Sequence, residues 1–379
     1  MTQLFTNAHG CCVLVLGSHR SGTSVLSRAL VSVGVALGVD LYGPRYDNPK
    51  GFFEDKIANQ LDDEVLKRCD CWWGALLLPS EIAPDVVNFY QSALKKDVFK
   101  RFNESTLWGL KDPRISRLWR LWLPVFKETG VMPVFVLANR HPFSVASSLA
   151  KRDRMPKAQA LALWIVHQLD SLEALVEHGG LVVDYDLMMQ APRQELYRIA
   201  QFLGTADRLD QSEISRFESD FLDHELRHAH YLNESAATPL QKLCLDLYSG
   251  LLEMAHLPGG LVEAHIDHAR NLIAQCRCEL SKFADWMQAI DDLHSGRLDE
   301  IGPPSHFPTT LDAHSRVPGL SDELENIATL VIKRLAQRDQ VIAEQSLRLG
   351  SMRDELLRAE AQLDLLKDVM WGSREEDRL

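Results

Sequence analysis

From about residue 11 to residue 204, short apolar strands alternate with helical segments. This limits the chain to a parallel sheet covered by helices on both faces. CVLVLG (Cys12–Gly17) reads as a short buried strand. SVLSRALVSVG (Ser24–Gly34) places Val25, Leu26, Ala29, Leu30 and Val33 on one helical face, with Gly34 as its stop. Further strands are expected at Thr106–Leu110, Pro133–Ala138 and Gly180–Tyr185. One helix opens at Pro142, a residue suited to a first helical position, and another runs from near Pro192 to Gly204. In sheets of this kind ligands bind beyond the carboxyl ends of the strands.

The rest of the chain is organised differently. Residues Thr238–His294 read as helical, interrupted by PGG at Pro258–Gly260. Residues 301–319 carry four prolines and read as a linker. Positions spaced three and four apart from Leu324 to Met370 are apolar apart from Arg338 and Gln345, the pattern of a coiled coil. A helix folded back on Thr238–His294 is the alternative. The expected organisation is therefore an α/β domain over 1–236, a helical extension over 237–300, the linker, and a coiled coil over 320–371. The coil implies a homo-oligomer or a docked partner.

A formal charge of −12 argues against non-specific nucleic-acid binding but leaves room for a local basic pocket. No apolar run approaches the roughly 20 residues of a transmembrane helix, and MTQLFTNAHGCC lacks a signal-peptide pattern, so a cytoplasmic protein is expected. The seven cysteines show no CxxC or Cys/His zinc spacing and read as reduced thiols, with no metal site.

The stretch after the first strand, Gly17-Ser-His-Arg-Ser-Gly22-Thr23-Ser24, has the outline of a phosphate-binding loop of P-loop type. Its glycines let successive N–H groups turn inward at the positive end of a helix, and Thr23 and Ser24 add hydroxyl donors. Thr23 stands where a nucleotide triphosphatase has lysine, and Arg20 supplies the positive charge. A plain Gly/Ser turn is the structural alternative.

HRSGTS resembles the 5′-phosphosulfate loop of sulfotransferases, which use 3′-phosphoadenosine 5′-phosphosulfate (PAPS). The arginine form is similar to the carbohydrate and tyrosylprotein branches. That family reads the 3′-phosphate with an arginine ending a strand and a serine eight residues later. Here VFVLANRHPFSVASSLAKR offers Arg140 and Ser148 at that spacing. Arginine grips phosphate with parallel hydrogen bonds, and two helical turns keep Ser148 on the same face.

The resemblance, over roughly residues 11–230, implies a P-loop NTPase-like α/β fold. It also implies a PAPS site made by Arg20, Ser21, Gly22, Thr23, Ser24, Arg140 and Ser148. VVDYDLMMQAPRQELYRIAQFLG resembles the segment whose tyrosine faces the adenine, which points to Tyr185. WGLKDPRISRLW is similar to the K-D-P-R segment of bacterial and glycan sulfotransferases, bringing Lys111 and Arg114 to the cleft; ordinary surface charges are the alternative. The basic R-K-G loop of the cytosolic branch is missing, and Arg227 or His228 is the candidate replacement.

Sulfuryl transfer needs positive charge at the leaving phosphate and a base for the acceptor hydroxyl. Arg20 and Lys111 supply the first. After His19 the next histidine is His141, so no histidine base is evident between the motifs. DNPKGFFEDKIANQLDDEVL resembles the segment that carries a glutamate base in related branches. That points to Glu54, desolvated by Phe52 and Phe53, with Asp55 second. A helix N-terminal carboxylate is the structural alternative. Trp72 and Trp73 are candidates for an acceptor platform, or a plain core pair.

The expected function is transfer of a sulfuryl group from PAPS to a hydroxyl on a glycan, lipid or small molecule. The alternatives are a small-molecule kinase and a non-catalytic assembly protein working through the coiled coil.

Overall fold

Strand β1 (Cys11–Leu16) is buried along its whole length, as a strand covered on both faces must be. In the computed structural model, which describes residues 10–38, 40–44, 50–102, 105–222 and 236–295, β1 is the middle of a parallel sheet. The other strands are β2 (Ala36–Leu37), β3 (Leu107–Lys111), β4 (Met132–Asn139) and β5 (Gly180–Asp184), in the order β2-β3-β1-β4-β5. The chain leaves β1 toward β3 and β2 and then crosses to β4 on the other side. The order therefore reverses at β1, and a ligand crevice is expected outside the carboxyl ends there.

Helices α1 (Thr23–Ser32), α2 (Lys56–Arg68), α3 (Pro84–Ala93), α4 (Ile115–Thr129), α5 (Pro142–Asp153) and α6 (Lys157–His178) alternate with the strands. After β5 come α7 (Tyr185–Gln190), α8 (Pro192–Leu203), α9 (Gln211–Arg216), α10 (Pro239–Ala255), α11 (Glu263–Ser281) and α12 (Ala284–Ser295). The side chains of Val13, Val15, Leu26, Leu30, Val136, Leu181 and Ile199 form one continuous core between the sheet and helices α1 and α8. α6 is buried on most of its circumference, Trp164 included, because the sheet lies on one side and later helices on the other.

The helical extension packs on this sheet. α10 lies on β5 and α6, α11 on α6 and α10, and α12 on α6. Just after the PGG break, Leu261 N–H donates to the Gly180 carbonyl of β5 at 2.8 Å. α10 starts with a full capping box, Thr238 and Gln241 satisfying each other's backbone groups. Among the described residues no helix is long and apolar enough to cross a membrane. The linker, the coiled coil expected over 320–371, Arg227 and His228 lie outside the described residues.

The turn from β5 into α7 carries a titration. Asp184 accepts the N–H groups of Asp186 and Leu187 and the Asn139 amide, the last at 2.9 Å. Burial, and then the charge of Asp186, push its carboxyl up to about 7. An unfolded aspartate ionises near about 4. Between those values the folded chain holds the extra proton, so stability falls as pH rises across the window and levels off above it. Urea unfolding at a series of pH values should show this slope in the native sequence and a flatter one in Asp184→Asn. A slope of opposite sign would contradict the assignment.

Candidate functional site

The crevice at the carboxyl edge is a cleft of about 310 Å³. Its described lining comes from the β1–α1 loop and the start of α1, the segment before α2, the loop after α2 that bears Trp73, the β3–α4 turn, the two ends of α5 and the start of α7.

The β1–α1 loop is built around two glycines. Gly17 has φ 130°, and a Cβ there would lie 2.7 Å from the Ala138 carbonyl oxygen. Gly22 has φ 92°, and a Cβ would meet the Tyr185 ring at 2.6 Å. Gly17 N–H donates to Ser116 Oγ at 2.7 Å, tying the loop to the start of α4. No described side chain caps α1, whose N-cap is Gly22. Its first residues, Thr23, Ser24 and Val25, line the cleft. The first N–H groups of a helix have no partner inside it, so an uncapped start facing a cleft favours an anion.

Arg20 sits in this loop with φ 69°, a left-handed conformation costing a non-glycine residue about 1–2 kcal/mol. Its Nε donates to Ser148 Oγ at 2.8 Å, across 128 residues of sequence. Arg140 Nη1 donates to the Arg20 carbonyl at 3.2 Å, and its guanidinium lies 4.1 Å from the Tyr185 ring centroid. The two sequence motifs thus meet on one surface. Tyr185 is fixed between Gly22 and Arg140, its ring wedged against the loop.

Ser21 differs from expectation. Its side chain is fully buried and its hydroxyl donates to the Ser18 carbonyl at 2.7 Å. It shapes the loop from behind instead of lining the cleft. Ser24 Oγ donates to the Phe52 carbonyl at 3.4 Å, joining the loop to the segment that bears Glu54.

Glu54 and Lys111 form a nearly buried ion pair, Nζ to Oε1 at 2.6 Å, and Lys111 also donates to the Phe52 carbonyl. Asn59 donates to the other Glu54 oxygen at 3.0 Å and to Asp112 at 2.9 Å. Phe53 packs edge-on to Phe221, while Phe52 lines the cleft. Glu54 is therefore oriented by a cation and an amide, not enclosed by two rings. Asp55 is unsuited to be a base. It caps α2 through Ile57 and Ala58 N–H, its side chain is fully buried, and Arg101 grips both its oxygens at 2.8 and 2.7 Å.

Arg114 lines the cleft and is held by Asp112 at 3.1 and 3.0 Å, while its Nε is buried with no partner among the described residues. Behind it, burial first and the Asp112 charge second raise Asp62 far above the ordinary carboxylate range. Tyr90 donates to Asp62 there.

The two tryptophans part company. Trp73 lines the cleft, with its ring centroid 4.6 Å from His19 and 5.4 Å from the Arg152 guanidinium. Trp72 meets Trp73 edge-on at 5.0 Å and stacks on His294 of α12 at 4.4 Å, so the pair is no continuous platform.

Three titratable residues described in the lining are not among the sequence candidates: His19, Arg152 and Asp153. Burial, then His167 and the cations Arg114, Arg152 and Lys111, push His19 well below the ordinary imidazole range. Its Nε2 is buried with no partner among the described residues. A neutral histidine therefore stands in the cleft, supplied by the β1–α1 loop itself, while the sequence between His19 and His141 holds none, as read. Arg152 pairs with Asp153 at 2.7 Å. It lies four residues past Ser148, one turn along α5, so the spacing that located Ser148 also points to it.

Among the described residues the cleft thus gathers Arg20, Lys111, Arg114, Arg140 and Arg152 against Glu54 and Asp153, in a chain whose net charge is −12. No group of three or more possible metal ligands occurs among the described residues. The architecture and cleft define an α/β protein with a parallel sheet and a cationic cleft at its carboxyl edge. No protein-family model and no curated protein matches the chain. Its fold has a weak structural similarity to the sulfotransferase domain of the Synechococcus PCC 7002 olefin synthase. The identity is 16%, the TM-score 0.39, and the match spans 65% of this chain and 96% of that domain.

Proposed function

We propose that this chain transfers a sulfuryl group from PAPS to an acceptor hydroxyl. The observation that carries the reading is the meeting of Arg20 with Ser148 and of Arg140 with the Arg20 carbonyl. Residues that the sulfotransferase resemblance assigns to opposite ends of the nucleotide form one cationic surface above an uncapped helix start. The fit to the nucleotide is chemical as well: the donors are guanidinium groups, hydroxyls and backbone N–H, the set that phosphates select. Arg114 Nε adds a buried donor awaiting an acceptor.

In this reading Arg140 and Ser148 hold the 3′-phosphate, the Gly17–Ser24 loop with Arg20 holds the 5′ side, and Tyr185 faces the base. Bound PAPS supplies a sulfonate on a good leaving group, the phosphate of adenosine 3′,5′-bisphosphate. Lys111 and Arg20 set positive charge beside that phosphate. Glu54 takes the proton of the acceptor hydroxyl. Each of its oxygens already accepts one hydrogen bond, and each keeps a lone pair for a further donor. Trp73, Arg152 and Phe52 form the wall that the acceptor meets. The acceptor is a hydroxyl on a glycan, lipid or small molecule.

The test is transfer of labelled sulfate from PAPS to pools of glycan, lipid and phenolic acceptors, assayed with Glu54→Gln alongside. Label in an acceptor pool, lost in the variant, is the expected result. No transfer to any pool by protein that binds the nucleotide would count against the reading.

A further inference from the structure

The loop that carries Trp73 is irregular and buried, yet its backbone groups are satisfied from outside. Ala75 and Leu76 are almost wholly buried. Buried backbone without secondary structure must find other partners or lose stability. Here two helices provide them. Arg117 of α4 donates to the carbonyls of Ala75 and Leu76 at 3.0 and 3.3 Å, and is itself held by Asp170 of α6. Asp291 of α12 accepts the Leu76 N–H at 3.0 and 3.1 Å and the Leu77 N–H at 2.7 Å. Three residues further along α12, His294 stacks on the Trp72 ring at 4.4 Å and 12°. The His294 ring is fixed in turn by its Nδ1 contact with the Ile290 carbonyl at 2.9 Å. Successive N–H groups and the adjoining indole are thus gripped by one helix more than 200 residues away in sequence. Trp73, joined to Trp72, is the member of the loop that enters the cleft.

We infer that Asp291 and His294 are positioning residues for the acceptor, fixing through the Trp72–Leu77 loop where Trp73 stands in the cleft. Neither residue lines the cleft and, among the described residues, neither touches the nucleotide motifs, so their effect reaches the cleft through Trp73, which meets the β1–α1 loop at the His19 ring. The activity part of this inference rests on the sulfuryl-transfer reading above; the grip on the loop does not.

The variants are Asp291→Ala, His294→Ala and His294→Phe, with Asp292→Ala as a control. Asp292 lies on the same helix, half-buried, and among the described residues its carboxylate accepts from Gln288 and not from the Trp72–Leu77 loop. Asp291→Ala and His294→Ala should raise the acceptor KM about tenfold or more, the cost of a misplaced wall. Affinity for adenosine 3′,5′-bisphosphate should stay within about twofold, because Trp73 meets the phosphate loop through the His19 ring and supplies none of its charge-assisted bonds. His294→Phe keeps a flat ring for Trp72 and should restore the acceptor KM, whereas loss of general stability would not be rescued. Asp292→Ala should match the native protein.

Amide hydrogen exchange decides the grip independently of catalysis. Leu76 and Leu77 should lose protection in Asp291→Ala while the amides of β1 and β4 keep theirs. Unchanged protection at Leu76 and Leu77, or a fall in nucleotide affinity parallel to the rise in acceptor KM, would overturn the inference. A native protein with no transferase activity would overturn the proposed function instead, and the exchange result would still decide whether α12 holds the loop.

Discussion

Glu54→Gln lowers turnover by about 10²–10⁴-fold, the usual worth of a positioned general base, and leaves nucleotide affinity nearly unchanged. The substitution keeps the shape of the side chain and removes its ability to take a proton. Two observations make this the sharpest single change. Glu54 borders the cleft beside Lys111, and it is oriented at both oxygens, by Lys111 Nζ at 2.6 Å and Asn59 Nδ2 at 3.0 Å. The substitution also frees Lys111 from its partner, so part of the loss could come from a displaced cation. Lys111→Met separates the two effects. It should lower turnover through the cation alone, and adding Glu54→Gln to it should lower turnover further, because the carboxylate that takes the proton is then gone as well. Steady-state kinetics of the single and double variants, with calorimetric nucleotide binding, is the measurement. Unchanged turnover in Glu54→Gln removes the residue from the base role.

The second large effect is on binding. Arg140→Ala weakens adenosine 3′,5′-bisphosphate by about 10- to 100-fold, the worth of one charge-assisted phosphate grip. The folded chain asks little of this side chain. It makes one 3.2 Å bond to the Arg20 carbonyl and lies over Tyr185. The melting temperature without ligand should therefore move little. Arg140→Lys keeps the charge but not the planar fork and should recover only part of the affinity. Equal affinity in Arg140→Ala would show that the nucleotide lies elsewhere.

Much of this architecture is legible in the residues. Strands buried on both faces read as continuous apolar runs, so β1, β3, β4 and β5 stand out, each within a residue or two of its observed end. β2 is hidden because Ala36–Leu37 is too short to carry a period. The two motifs proposed to grip phosphate are legible because their pattern is local: a glycine loop, and an arginine and serine two turns apart. Whatever depends on partners distant in sequence is not. Nothing near Asp55 announces that Arg101 will occupy both its oxygens, or that Lys111 will pair with Glu54 across 57 residues. His19 is hidden by the opposite bias. It lies inside the loop read for phosphate binding, so its ring is easily passed over, though the structure brings it against Trp73. Trp72 and Trp73 are neighbours in sequence but take different roles, because α12 claims one of them.

The central claim is that the carboxyl edge of this sheet grips an adenosine carrying phosphates at both its 3′ and 5′ positions. Titration calorimetry with adenosine 3′,5′-bisphosphate, and separately with ATP and magnesium, tests it most directly. The account predicts one bisphosphate per chain, bound far more tightly than ATP, with the difference largely abolished by Arg140→Ala. Tighter binding of magnesium-ATP, or bisphosphate binding indifferent to Arg140, would contradict it.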